Sequence, residues 1–181
     1  FANRALITTS SAVAFVYYHT YPKARSIDPD VLIRGDVYVR RATFYAEDRY
    51  FKTRDRSLEV DASLARRTEN AATGGTTVRF GSRFSADVAG YDRTLQYEDD
   101  LFFGTNLRQS LNRTEQGLRL TLRHKVTSLT TLTVRAEAQR ARFEFSPSRD
   151  ADGLRIAPGF EFSPKALIGG SAEVGVRHAV A

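Results

Sequence analysis

The sequence contains no cysteine, which removes disulfides, zinc–thiolate sites and thiol nucleophiles from consideration. Methionine is also absent, so Phe1 is expected to follow a processing or truncation point. Three histidines leave little material for metal or triad chemistry. Lysine is scarce: 23 Arg stand against 4 Lys within a net charge of +6. Nucleic-acid binders gather their cations on one face or stripe, and no nucleic-acid partner is expected here. Scattered arginine suits planar pairing with carboxylates in partly dry places. No apolar run approaches the roughly 20 residues of a membrane-spanning helix. The longest stretch, residues 12–18, is short and lacks the charged flank of a signal peptide. A strand needs only about 9–11 residues to cross, so a strand-built membrane protein stays open.

What is present is β-patterned. The 12 Phe, 8 Tyr and 41% hydrophobic content are too much for a disordered chain. Residues 117–126 alternate strictly: Leu118, Leu120 and Leu122 share one face, while Arg119, Thr121, Arg123 and Lys125 share the other. This is the period of a strand with one apolar and one polar side. After a short turn, Leu132, Val134, Ala136 and Ala138 oppose Thr131, Thr133, Arg135, Glu137 and Gln139. Leu154, Ile156, Phe160 and Phe162 then oppose Arg155, Ala157, Gly159 and Glu161, and Ala172, Val174 and Val176 oppose Ser171, Glu173, Gly175 and Arg177. The first half carries the same alternation less tidily, and no helical period is sustained.

The pattern predicts about nine strands, over 5–18, 31–43, 47–64, 76–84, 87–98, 116–126, 129–145, 153–162 and 166–178. Gly35, Gly75, Gly117 and Gly153 are expected to open strands of a hairpin repeat. The motif F-x-x-[basic]-A-L-I-x-x-S occurs at residues 1–10 and again at 162–171, which suggests that the chain starts within the array. Short connections are expected near Phe44, Phe84, Thr127 and Pro164, and long ones over 19–30, 65–75, 98–115 and 146–152. That asymmetry is the habit of transmembrane barrels.

Residues 117–177 resemble bacterial outer-membrane β-barrel proteins of the porin type. The resemblance is carried by Val126-Thr127-Ser128-Leu129-Thr130, Arg142-Phe143-Glu144-Phe145-Ser146-Pro147, Arg149-Asp150, Pro158-Gly159-Phe160-Glu161-Phe162-Ser163-Pro164, Ala166-Leu167-Ile168-Gly169-Gly170 and Val174-Gly175-Val176-Arg177. It covers about a third of the chain and contributes no catalytic residue. It implies an outer-membrane location, lipid and the barrel-insertion machinery as partners, and permeation of small solutes or exopolysaccharide export. Such barrels commonly end in a terminal aromatic, where this chain ends His178-Ala179-Val180-Ala181. Either the terminus is altered or strands are missing there too, and an odd strand count, against the even numbers of bacterial barrels, argues for a fragment.

Few residues suggest chemistry. His19, His124 and His178 are far apart in sequence, and Ser128, near His124 in an expected turn, is the one local candidate for a nucleophile. Glu98-Asp99-Asp100 and Asp28-Pro29-Asp30 read as acidic loops. Arg54-Asp55-Arg56 and Arg66-Arg67-Thr68-Glu69-Asn70 read as paired lumen or rim charges. Gly74-Gly75 and Gly169-Gly170 read as relief of crowding in strands, since no helix follows to make a phosphate loop. Tyr17, Tyr18, Tyr45, Tyr50, Phe102, Phe103, Phe143 and Phe145 are expected in aromatic girdles.

The expectation is an all-β, antiparallel up-and-down transmembrane β-barrel of about 9–10 strands spanning 1–181, whole or as part of a larger barrel. Arg119, Arg123, Arg135, Glu137, Arg155, Glu161, Glu173 and Arg177 would line the lumen. Leu118, Leu120, Leu122, Leu132, Val134, Leu154, Ile156, Val174 and Val176 would face lipid. No enzyme activity, cofactor or metal is expected. The competing reading is a soluble barrel or sandwich that binds a small apolar ligand or a partner protein; an outer-membrane enzyme is a third.

Overall fold

A computed structural model describes residues 4–17, 19–20, 25–53, 66–99, 101–102, 104–163 and 169–180. The chain runs β1 (Ala5–Val16), β2 (Ser26–Val39), β3 (Ala42–Thr53), β4 (Arg67–Phe80) and β5 (Phe84–Tyr97). A small hairpin, β6 (Leu101–Phe102) with β7 (Thr105–Asn106), leads into the single-turn helix α1 (Leu107–Leu111). Then come β8 (Arg113–Lys125), β9 (Thr130–Phe143), a 3₁₀ turn (Pro147–Arg149), β10 (Ala151–Phe162), β11 (Gly170–Glu173) and β12 (Val176–Val180). The long strands pair antiparallel in chain order, β1-β2-β3-β4-β5-β8-β9-β10-β11, with β12 also on β10. This is an all-β, up-and-down antiparallel sheet.

β11 and β12 are one strand in two pieces. Gly159 faces Glu173 and Ile156 faces Val176 in one continuous register. The interruption falls opposite Pro158. The Val174 amide donates to the Pro158 carbonyl at 3.0 Å, and proline has no N–H to return. The described residues therefore form nine long strands, as the alternation predicts.

The boundaries differ from the expected ones in a consistent way. Residues 67–75, expected as loop, open β4, and residues 26–30, also expected as loop, open β2. Asp28-Pro29-Asp30 is therefore strand, not an acidic loop. Asp28 and Asp30 alternate with Pro29, and Asp30 takes the Arg49 guanidinium of β3 at 2.6 Å. Charged ends of strands have the composition of loops although they keep the period of the strand. The turn expected near Phe44 is Arg40-Arg41, between the paired Val39 and Ala42. The one expected near Phe84 is residues 81–83, where Gly81 takes φ 72°. The Thr127 turn is in place: its hydroxyl accepts from the amides of Leu129 at 3.1 Å and Thr130 at 3.0 Å. The Pro164 turn, the Arg54-Asp55-Arg56 segment and residues 1–3 and 164–168 of the repeated F-x-x-[basic]-A-L-I motif lie outside the described residues.

The four glycines of the hairpin repeat sit inside strands and do not start them. Gly35 also lies on the opposite face from Gly75, Gly117 and Gly153, as the registers show. Their spacing marks ring packing at two positions and no common structural start.

Candidate functional site

Unbroken pairing lets each face be followed from strand to strand. One register line reads Ile7, Gly35, Ala46, Gly74, Gly90, Leu118, Ala138, Leu154, His178. A neighbouring line on the other face reads Asp36, Tyr45, Gly75, Ala89, Arg119, Glu137, Arg155, Arg177. The first is the apolar face and the second the charged face. Leu118, Leu120, Leu122, Leu132, Val134, Leu154, Ile156, Val174 and Val176 all lie on the apolar face. Arg119, Arg123, Arg135, Glu137, Arg155, Glu161, Glu173 and Arg177 all lie on the charged one.

Burial runs opposite to that of a water-soluble protein. Among the described residues, every exposed large apolar side chain in the long strands lies on the apolar face, Leu6 and Tyr38 excepted. Ile7 is 76% exposed and Val176 78%. The buried polar strand residues, Asp36, Glu69, Glu115, Thr121 and Thr133, lie on the charged face. Side chains crowd on the inside of a curved sheet and spread on its outside, so the charged face is the concave one.

Crowded charges persist only where they are paired, and here they are. Arg34 bridges Asp36 at 2.8 Å and Glu47 at 3.1 Å. Along the next strands run Arg67, Glu69, Arg93, Glu115 and Arg113, alternating in sign, with Arg93 Nε at 2.5 Å from Glu69 and Arg113 Nε at 2.7 Å from Glu115. Arg119 meets Glu137 at 3.3 Å; Arg135 and Arg155 share Glu173 at 3.0 and 3.6 Å. Arg177 donates to Gln139 at 3.3 Å. The segment 66–70 behaves the same way: Arg66 joins Lys52 on Glu98, and Arg67 joins Arg93 on Glu69.

Tyr45, expected at an interface, and Tyr91 both pack on the charged face instead. Tyr45 lies over Gly75 on the next strand, beneath the Arg34 guanidinium at 4.7 Å, and its hydroxyl reaches Asp87 at 3.2 Å. Tyr91 lies over Gly117, beneath Arg119 at 5.5 Å. A Cβ at Gly75 would stand 2.6 Å from the ring and 2.7 Å from the Val88 carbonyl; at Gly117 its three nearest neighbours would all be atoms of the Tyr91 ring end and hydroxyl, from 2.5 Å. The ring can swing and the backbone cannot. Gly75→Ala is therefore expected to cost about 2–3 kcal/mol and Gly117→Ala about 1 kcal/mol, read by denaturant titration of the refolded chain. Equal costs would refute the ring-seat account.

Phe143 also faces inward, between Arg113 and Arg149 at 5.7 and 4.6 Å. The expected girdle is therefore wrong for Tyr45 and Phe143. Tyr17 and Tyr50 are exposed, Phe145 stacks under Arg108 at 5.7 Å, and Tyr18, Phe103 and the Phe102 side chain lie outside the described residues. Apolar-face aromatics do gather at the short-turn ends: Phe44, Phe80 and Phe84, with Phe160 and Phe162. Alternation puts them on that face, since each shares parity with its strand's apolar set.

At the opposite, long-loop end, α1 turns back onto the charged face. Leu107 and Leu111 are buried against Leu95 and Tyr97 of β5. Asn112 anchors the segment, accepting from the Tyr97 amide at 2.7 Å and donating to Glu144 at 2.9 Å. A composition reading of residues 98–115 as plain loop misses this inward cluster.

Comparison with known proteins gives no matching family model and no matching curated protein. A solved structure is similar: OmpT (in-vitro folded), an outer membrane protein of Vibrio cholerae in its trimer form, at TM-score 0.59 and 15% identity. The match covers 95% of this chain and 54% of that one. The chain has the fold of an outer-membrane β-barrel. It spans about half the length of that barrel protein, and the likeness speaks for the fold alone.

The barrel geometry is visible in the stagger of the strands. From the register line through Ile7 and Leu154, β1 begins two residues toward the short turns and β10 ends eight beyond. Six residues over seven strand spacings, at about 3.3 Å and about 4.8 Å, give a slope of roughly 30°. Barrel strands tilt by about 35–45°.

Catalytic and metal candidates do not converge. His124 and His178 lie on the apolar face at opposite ends of the sheet, and Ser128 sits in the Thr127 turn. Glu98 is taken up by Lys52 and Arg66, and Asp99 by Asn106. Among the described residues no three His, Asp or Glu gather as metal ligands.

Proposed function

We propose that the chain is a section of an outer-membrane β-barrel whose charged concave face lines a water-filled lumen, serving passive permeation or export. The observation that carries this is the inverted burial: paired charges crowded on one face, large apolar side chains exposed on the other. Lipid is the solvent that makes such an exposed face favourable, and an aqueous lumen is the environment that suits the charged one. The outer membrane is then the location, lipid and the insertion machinery the partners, and small solutes or exopolysaccharide the cargo. The reading assigns the chain no catalytic step, cofactor, metal or nucleic-acid partner. β1 and the β11–β12 strand have one neighbour each among the described residues. Edges in lipid need their backbone groups satisfied, so the reading places further strands against both.

A soluble binder would carry its apolar face inward, around a ligand. The depressions near Gly35, Gly74, Gly90 and Ala138 instead open on the exposed apolar face. The deciding test is far-UV circular dichroism in plain buffer and after refolding into detergent micelles or vesicles. A β spectrum is expected only with detergent or lipid, followed by stepwise conductance in planar bilayers. A monodisperse β protein in buffer alone would overturn the membrane reading; a lipid-folded chain without conductance would overturn the pore.

A further inference from the structure

The charged face is balanced along most of its length and unbalanced at one end. The arginines of its middle are paired with acids, as described above. At the short-turn end this stops. The Arg79 amide donates to the Arg41 carbonyl at 2.8 Å and the Lys125 amide to the Arg83 carbonyl at 2.7 Å. These bonds extend the β3–β4 and β5–β8 ladders by one step each. Arg41 therefore lies opposite Arg79, and Arg83 opposite Lys125, all on the charged face. Like charges directly across a sheet are destabilising. Arg155 faces Arg177 as well, but Glu173 and Gln139 take up those two.

Among the described residues, none of Arg41, Arg79, Arg83 and Lys125 has an ion-pair partner, and all four are exposed. Asp87 lies one step further in, and the hydroxyls of Tyr45 and Thr77 hold it, at 3.2 and 2.6 Å. Glu161 is engaged by Arg123 at 3.7 Å. The turn itself carries Arg40 at φ 51°, a conformation that glycine or asparagine fills at lower cost. Strain and repulsion are thus both kept at the end of the sheet where the cations collect.

We infer that this short-turn mouth binds polyvalent anions, solutes bearing several phosphate or carboxylate groups, through Arg41, Arg79, Arg83 and Lys125. The inference rests on the proposed reading of the charged face as a lumen and adds the class of solute it favours. Neighbouring strands stand about 4.8 Å apart, so the two like-charged pairs span more than one anionic group. Arginine forks grip phosphate or carboxylate oxygens with two bonds. A single small anion would relieve one pair and leave the other; a polyvalent one relieves both. In the standard barrel arrangement, short turns face the periplasm, so the site meets solutes from that side.

The test is calorimetric titration of the full chain, folded in zwitterionic micelles, with inorganic tripolyphosphate and with orthophosphate. Tripolyphosphate should bind more tightly and weaken with added salt. R41Q/R79Q/R83Q/K125Q should weaken it roughly tenfold or more, while R140Q/R142Q, on the apolar face at the long-loop end, should leave it unchanged. R83Q/K125Q alone, expected to weaken it about threefold, serves if the quadruple variant does not fold. An affinity insensitive to these mouth substitutions, or equal binding of the two anions, would overturn the site. Micelles doped with phosphatidylglycerol distinguish the source: unchanged tripolyphosphate affinity keeps a soluble anion, and competition assigns the cations to lipid headgroups. Bilayer conductance is read separately. Binding without conductance sinks the pore and keeps the site; conductance without binding does the reverse.

Discussion

Leu120→Arg will cost the lipid-folded chain about 2–4 kcal/mol, the price of a cation near the middle of a barrel's outer surface. Leu120 lies between Val88 and Ala136 on the apolar face and is 40% exposed. In a soluble protein the same exposure would make the change nearly neutral, within about 0.5 kcal/mol. The size of the effect therefore separates lipid from water as the medium on that face. Thr131→Arg is the matched control: it enters the charged face between Lys125 and Glu161 and should shift stability by less than about 1 kcal/mol. Guanidinium titration of both variants in vesicles reads the difference. Equal small shifts would mean that the exposed apolar face does not meet lipid.

That face could be drawn from residue identity because period-2 alternation survives wherever a strand lies between two different media. Leu118, Leu120 and Leu122, then Leu132 and Val134, keep one parity without a break, and the antiparallel registers preserve it across strands. The strand number followed from the same signal. What alternation could not supply was the position of strand ends. Asp28, Asp30, Arg67 and Glu69 have the composition of a loop, yet Asp30 pairs with Arg49 and Glu69 with Arg93 across neighbouring strands, and such pairing keeps a polar stretch in the sheet. The sequence also hides which neighbours meet. Nothing in Tyr45 or Tyr91 announces a glycine opposite, because the registers that bring them together span 30 and 26 residues of chain. The basic mouth was equally hidden. Arg41, Arg79, Arg83 and Lys125 are spread over three hairpins, and only the common direction of the short turns gathers them.

The strongest single dependence on the charged face falls at Glu69. It is 4% exposed and joins Arg67 to Arg93, which passes to Glu115 and on to Arg113. Glu69→Gln keeps the shape and removes the charge, leaving two guanidiniums without their shared partner. Breaking one side of a buried pair costs about 3–5 kcal/mol; Arg93 is partly open to water, and screening draws the expectation to the lower end, about 3 kcal/mol. Adding Arg93→Gln removes one of the stranded cations. The double variant should then lie closer to wild type than the sum of the singles, with a coupling of about 1–3 kcal/mol. Denaturant titration of the four proteins in vesicles closes the cycle. Additive losses would mean that Glu69 and Arg93 act separately, and that the alternating run from Arg67 to Arg113 is a set of neighbours without mutual dependence. A large coupling would mean that the face is held by the order of its charges, so that the inward wall stays rigid while water fills the space in front of it.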